Sequence, residues 1–184
     1  MKRSLPRVCL EPVALRHQES FLDGVRRSRN AHRRWCAPPS TEARFRAFMK
    51  ASRRDSQQSF LLFSKSDDLV GAVTISAIVR GLFQSGYLGY YLFTPYEGQG
   101  YMTSGLASVI GQAFGKLGLH RLEANIQPGN AASIALVRRL GFRREGYSTK
   151  YLKIGGRWRD HERWAITKED WSLCGKGEPK CEKC

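Results

Sequence analysis

The sequence predicts one α/β domain built on a mixed sheet. Three observations carry that prediction. Segments with helical apolar spacing alternate with short β-rich runs through the middle of the chain. Two strand-like segments separated by Gly155-Gly156 close the C-terminal end as a hairpin. Apolar residues make up 41% and aromatic residues 11%, enough for a packed core, yet no apolar run approaches the roughly 18–20 residues that span a bilayer.

The elements follow in order. Residues 7–13 (RVCLEPV) form a short strand. Amphipathic helices follow near 17–28 and 41–53, the second with Phe45, Phe48 and Met49 on one stripe. Between them the proline pair of the Trp35–Pro39 segment breaks the pattern. Ser59–Ser64, Leu69–Val79 and Tyr87–Phe93 are strands, the first two separated by the turn Lys65-Ser66-Asp67-Asp68. After Thr94-Pro95 a glycine-rich turn opens a long helix. Its buried face carries Leu106, Val109, Ile110, Ala113, Phe114 and Leu117, and Gly118 stops it. Arg121–Gln127 is a strand and Pro128-Gly129-Asn130 a turn. Asn130 caps a helix to about Leu140, closed by Gly141 with Phe142 behind it. Strands near 144–154 and 161–167 complete the sheet. The domain spans 1–171, and the polar tail 172–184 is expected to be flexible.

Charge is uneven. The chain holds 31 Lys+Arg against 16 Asp+Glu, for a net +15. Residues 1–54 carry 14 basic and 4 acidic side chains, the remainder 17 and 12. Such a surface favours nucleic acid, a phosphate-bearing ligand or a ribonucleoprotein, or is simply a solvated face. Met1–Pro12 lacks a continuous apolar stretch, so the expectation is a cytoplasmic protein without a secretory signal or membrane contact. Five scattered cysteines fit reduced thiols better than a disulfide framework. Cys174, Cys181 and Cys184 are spaced C-x6-C-x2-C, three thiols that could bind zinc only with an outside ligand and are better read as a reduced tail, and the four histidines lack metal spacing. No metal is expected.

Two motifs carry chemistry. Glu97-Gly98-Gln99-Gly100-Tyr101-Met102-Thr103 joins a strand to a helix, and no Asp or Glu lies between Gly98 and Arg121. Glycines let backbone N–H groups approach an anion, and the helix N-terminus favours negative charge. The same turn also serves as a tight connection with no ligand. Neither G-x-x-x-x-G-K-[ST] nor G-x-G-x-x-G is complete here. The second motif, Asn130-Ala131-Ala132-Ser133 leading to Leu140-Gly141-Phe142, is an ordinary capped helix apart from its serine.

Together, over residues 85–145, the two motifs resemble the GNAT family of acetyl-CoA-dependent N-acetyltransferases. Val79-Arg80-Gly81, Tyr87-Leu88-Gly89-Tyr90, Arg143-Arg144-Glu145-Gly146-Tyr147 and Gly156-Arg157-Trp158-Arg159-Asp160-His161 look like the RimJ branch of the RimJ/RimL group. Those bacterial enzymes acetylate ribosomal-protein N-termini. The resemblance runs from Arg7 to Trp171. It implies the GNAT fold, a mixed and mostly antiparallel sheet of about seven strands flanked by helices. It implies acetyl-CoA as co-substrate, with Leu92 pairing its backbone with the pantetheine arm. Gly98, Gln99, Gly100, Tyr101, Met102 and Thr103 would hold pyrophosphate, and Asn130 would hydrogen-bond the pantetheine. Ser133 would donate to the departing thiolate.

Departures from the family pattern are informative. Glu97 stands where Gln or Arg is usual, and Met102 where Gly or Ala is usual, which requires its side chain to pack beneath the turn. The tyrosine acid of many relatives is matched by Val137, and the glutamate base of RimL-like relatives by Leu152. No carboxylate base is therefore inherited. An α-amine, with a pKa of about 7.7–8, is roughly a quarter to a third neutral at pH 7.5, whereas a lysine with pKa about 10.4 is almost wholly charged. This favours a protein N-terminus as acceptor, and by resemblance the N-terminal alanine of a small-subunit ribosomal protein. The basic N-terminal region would then contact ribosomal RNA.

Trp35 matches the wall of the acceptor site or serves as a core residue between helices. Tyr151 faces core or cleft, and Asp160 with His161 either touches substrate or marks a solvated hairpin end. A small-molecule amine or antibiotic acetyltransferase, and a ribosome-associated assembly factor on the same fold, are the alternatives.

Overall fold

The computed structural model describes residues 5–174. Its sheet contains β1 (Cys9–Pro12), β2 (Gln58–Phe63), β3 (Leu69–Val79), β4 (Ser85–Leu92), β5 (Arg121–Ile126), β6 (Arg143–Ile154) and β7 (Arg157–Thr167). The spatial order is β1-β2-β3-β4-β5-β7-β6. All neighbours are antiparallel except β4 and β5, so the expected mixed, mostly antiparallel sheet is the one observed.

Helices cover both faces. On one, α4 (Tyr101–Gly115) and α5 (Ala131–Arg139) bury Leu106, Ile110 and Val137 against Leu62, Val73 and Leu122. On the other, α1 (Gln18–Arg27) and α3 (Glu42–Ala51) bury Phe21, Val25 and Phe45 against Leu61, Ala72 and Phe93. This double cover explains the nearly continuous burial of β3. A short helix, α6 (Lys168–Cys174), follows β7, and Trp171 packs on the first cluster.

Local signals set the element ends. Thr41 Oγ1 accepts the Arg44 N–H at the start of α3. Gly141, at φ +87°, closes α5, with its N–H on Arg138 O and that of Phe142 on Val137 O. That is the double bond of a Schellman turn. Three features depart from expectation. The first helix breaks at Ser28 (φ −94°, ψ 7°), and a short α2 (Arg29–His32) continues from it. β7 begins at Arg157 rather than near 161, because backbone pairing with β6 holds a stretch too polar to show strand periodicity. Cys9 is disulfide-bonded, so the reduced-thiol expectation does not hold there. Cys181 and Cys184 lie outside the described residues.

The α1–α2 unit is fixed to the end of β4 by three residues spaced four apart. A Cβ on Gly24 would lie 2.8 Å from Phe93 Cγ, so only glycine permits this approach. The buried Ser28 hydroxyl donates to Gly24 O (2.7 Å) and accepts the Thr94 N–H (2.8 Å). His32 Nε2 donates to Leu92 O (2.6 Å). Removing the Ser28 hydroxyl strands the Thr94 N–H. Ser28→Ala is therefore expected to cost about 1–3 kcal/mol, read as a lower urea midpoint at unchanged m-value.

Candidate active site

The one parallel ladder among the described residues is short. It pairs Ser85, Gly86 and Tyr87 with Arg121, Leu122 and Glu123 and then stops, although β4 runs on to Leu92 and β5 to Ile126. The Phe93 N–H donates to Val70 O across β3 (2.8 Å). Backbone alternation therefore turns the Tyr90 and Leu92 groups the other way, into the gap. The Leu92 carbonyl is already taken by His32, which leaves the Tyr90 and Leu92 N–H groups and the Tyr90 carbonyl facing an opening that suits an extended, amide-bearing chain.

On the α4–α5 face, the predicted anion cradle is built as a turn followed by an uncapped helix. Gly98 and Gly100 have φ of +72° and +90°, which only glycine adopts freely. Gly100 supplies no side-chain cap, and the first backbone bond of α4 runs from Ser104 N–H to Gly100 O (3.1 Å). The N–H groups of Tyr101, Met102 and Thr103 are thus unmatched within the helix, and its first turn has no acidic residue. Met102 packs in the core, as its place in the turn requires. The Glu97 carboxylate accepts from Thr94 Oγ1 (2.7 Å), and Gln99 Nε2 donates to Pro95 O (2.7 Å), so both side chains brace the turn.

At the start of α5, Asn130 Oδ1 accepts the Ser133 N–H (3.2 Å). The Ser133 side chain neighbours Tyr90 of β4. Burial pushes the Tyr90 phenol up to about 12; the Ser133 hydroxyl is close enough to oppose that rise. It is not placed to complete a hydrogen bond, and Tyr90 OH has no partner. Val137, one turn further along, is fully buried core.

The opposite face carries different chemistry. Tyr87, Glu123 and Asn125 alternate onto it from β4 and β5. Burial raises the Tyr87 phenol first, and the nearby Glu123 carboxylate and Tyr151 phenol raise it further. Glu123 is tied to Arg121 (2.9 Å), which also grips Glu145 and holds the Glu145 carboxyl below its usual range. Tyr151 reaches this cluster through a bulge in β6 between Ser148 and Leu152, where Lys150 has φ +47°. Its ring lies 6.2 Å from that of His161. His161 is buried and its pKa is pushed below the ordinary value by burial. Its Nδ1 donates to Arg159 O (2.9 Å), leaving the lone pair on Nε2.

Asp160 and His161, adjacent in sequence, occupy opposite faces of β7 and do not act as a pair. The Asp160 carboxylate accepts from Tyr147 OH (2.7 Å) and Lys150 N–H (2.8 Å), which hold it below the usual range. It shares a cleft of about 320 Å³ with Trp35, Trp158 and Gln127. Gln127 Nε2 bridges the Arg34 and Trp35 carbonyls, each at 3.4 Å. The structure thus gathers the predicted residues into three groups: the turn with Asn130 and Ser133, Tyr151 with His161, and Trp35 with Asp160.

Sequence reasoning missed His32, Tyr90 and Asn125. Their Nδ1, OH and Oδ1 atoms are the buried side-chain polar atoms without partners among the described residues; Tyr90 and Asn125 belong to the two strands that flank the opening, and His32 reaches its end through Nε2. Asn130 is also a testable cap. Asn130→Ala should cost about 0.5–2 kcal/mol of stability whereas Asn130→Asp retains most of it, measured by thermal or urea unfolding.

Comparison with known proteins identifies the family and the fold. The chain matches the acetyltransferase (GNAT) domain over residues 7–143. It is 37% identical over 128 residues to the probable N-acetyltransferase YjcK of Bacillus subtilis, covering 69% of this chain and 71% of that protein. It is 36% identical over 138 residues to the ribosomal protein uS5-alanine N-acetyltransferase of Escherichia coli, covering 74% and 71%. Mycobacterium smegmatis RimJ in complex with CoA-disulfide matches with a TM-score of 0.82 at 27% identity, over 89% of this chain and 83% of that one. The chain therefore belongs to the GNAT family of acetyltransferases and is an N-acetyltransferase.

Proposed function

We propose that the enzyme transfers acetyl from acetyl-CoA to a protein N-terminal α-amine, that of an N-terminal alanine on a small-subunit ribosomal protein, in the cytoplasm. The uncapped start of α4 and the free edge of β4 fit a diphosphate and an extended amide chain. Acetyl-CoA supplies the activated acyl group. Asn130 and the Gly98–Thr103 turn would hold it, and Ser133 beside Tyr90 would protonate the departing sulfur.

The observation that carries the choice of acceptor is the state of Glu123. It is the carboxylate whose charge acts on Tyr87 of the acceptor face, and Arg121 holds it. A strongly basic lysine would need a freer base, whereas an α-amine with pKa about 7.7–8 is partly neutral near pH 7.5 and can pass its proton to water or to a phenol–imidazole relay. The relatives named for uS5-alanine acetylation and for RimJ point to the ribosomal acceptor.

The test is acetyl transfer to two matched peptides, one with a free N-terminus and one N-terminally blocked with an internal lysine. Label is expected on the first alone, and Ser133→Ala should lower its kcat by about 10²-fold. Label on neither peptide, with acetyl-CoA binding intact, would mean a small-molecule acceptor or an assembly role. The charge over residues 1–54 suits an acceptor beside ribosomal RNA. Binding to ribosomal particles should accordingly weaken steeply as salt rises; salt-insensitive binding would refute that contact.

A further inference from the structure

A second cavity of about 660 Å³ lies between α1, α2 and the start of α3. Leu22, Val25 and Pro38 give it an apolar lining, and Arg26, Arg29, Arg33 and Arg44 a basic one. Its acidic member, Glu42, is paired with Arg46 (3.4 Å), and Arg26 shares Asp23 with Arg27. Among the described residues Arg29, Arg33 and Arg44 have no carboxylate partner. Three uncompensated guanidiniums around one groove set a strong preference for negative charge.

His32 makes the groove part of the reaction path. It lines the groove and its Nε2 holds Leu92 O, at the end of β4 where the sheet opens. A polypeptide with its α-amine in the opening therefore has this groove within one side chain's reach for its following residues. We propose that the groove receives the acceptor chain just behind its N-terminal residue and selects termini with Asp or Glu there. This rests on the α-amine reading above and adds a specificity that reading does not contain. Continuity with the opening and the apolar lining favour a peptide over RNA, since side-chain methylenes gain from such a surface and a phosphate backbone does not.

The experiment compares three C-terminally labelled peptides that share the first two residues and carry Glu, Gln or Lys at positions three to six. Steady-state kinetics and fluorescence anisotropy are read on the full chain. The acidic peptide should exceed the neutral one by about tenfold in kcat/KM, through KM, with the basic peptide lowest and the spread shrinking at high salt. Arg29→Glu with Arg33→Glu should invert the order, a gain on the basic peptide that misfolding cannot produce. A flat series in both readouts overturns the proposal, as does a double variant that keeps the original order. If no peptide is acetylated, the α-amine reading fails, and anisotropy still judges the groove: acidic-peptide binding lost in the double variant supports it, equal binding of all three refutes it. A single-stranded RNA oligonucleotide that binds through Arg29 and Arg33 while the peptide series stays flat would make this a nucleic-acid site instead.

Discussion

A parallel ladder that ends after three residue pairs leaves two strand edges facing each other without pairing to one another. In a folded protein such edges are costly, because backbone N–H and C=O groups normally find partners. Here one of those groups, the Leu92 carbonyl, is satisfied from outside the sheet by His32. For that bond to form, α1–α2 must lie close over the end of β4. Gly24 allows the approach to Phe93 and Ser28 ties off Thr94 N–H. The opening, the helix over it and the sheet beneath are thus one mechanical unit.

The opening also divides the chemistry by face. Strand alternation sends Tyr90 toward α4 and α5, and Tyr87 and Tyr91 toward the other layer. The first face offers backbone donors, a glycine turn and a helix start free of acid, which suits an anionic ligand. The second offers phenols, an imidazole kept neutral by burial and one compensated carboxylate. The first set could not be exchanged for the second: the carboxylates around Arg121 would repel a diphosphate, whereas the one carboxylate of the α4 turn, Glu97, is engaged by Thr94 Oγ1.

Much of this was legible in the chain. The long helix, its glycine turn, the Asn130 cap and the Gly141 closure each rest on short-range stereochemistry that residue type dictates. What escaped depends on pairing over distance. Three of the first four residues of β7 are charged and the stretch looks like a loop, yet β6 pairs with it, and that extension is what parts Asp160 from His161 onto opposite faces. Tyr151 is aimed by a bulge that no sequence pattern announces. His32 looked like one of four unrelated histidines. Its spacing of four from Ser28, itself four from Gly24, was the available signal, and the break at Ser28 hid the continuous face.

The three unpartnered atoms bear on why the site is built this way. A buried donor or acceptor left unpaired costs about 1–3 kcal/mol, against a total stability of about 5–15 kcal/mol for a typical domain. Leaving His32 Nδ1, Tyr90 OH and Asn125 Oδ1 unpaired among protein groups therefore gives up stability in the free protein. A polar occupant that reached any of them would recover part of that cost through a partner already held in place by the fold. Tyr90 shows the consequence most directly. Its phenol, raised by burial, stays protonated across the physiological range and is therefore a standing donor beside Ser133. A neutral hydroxyl pair of this kind offers hydrogen-bond donors while leaving the resting site uncharged on that side.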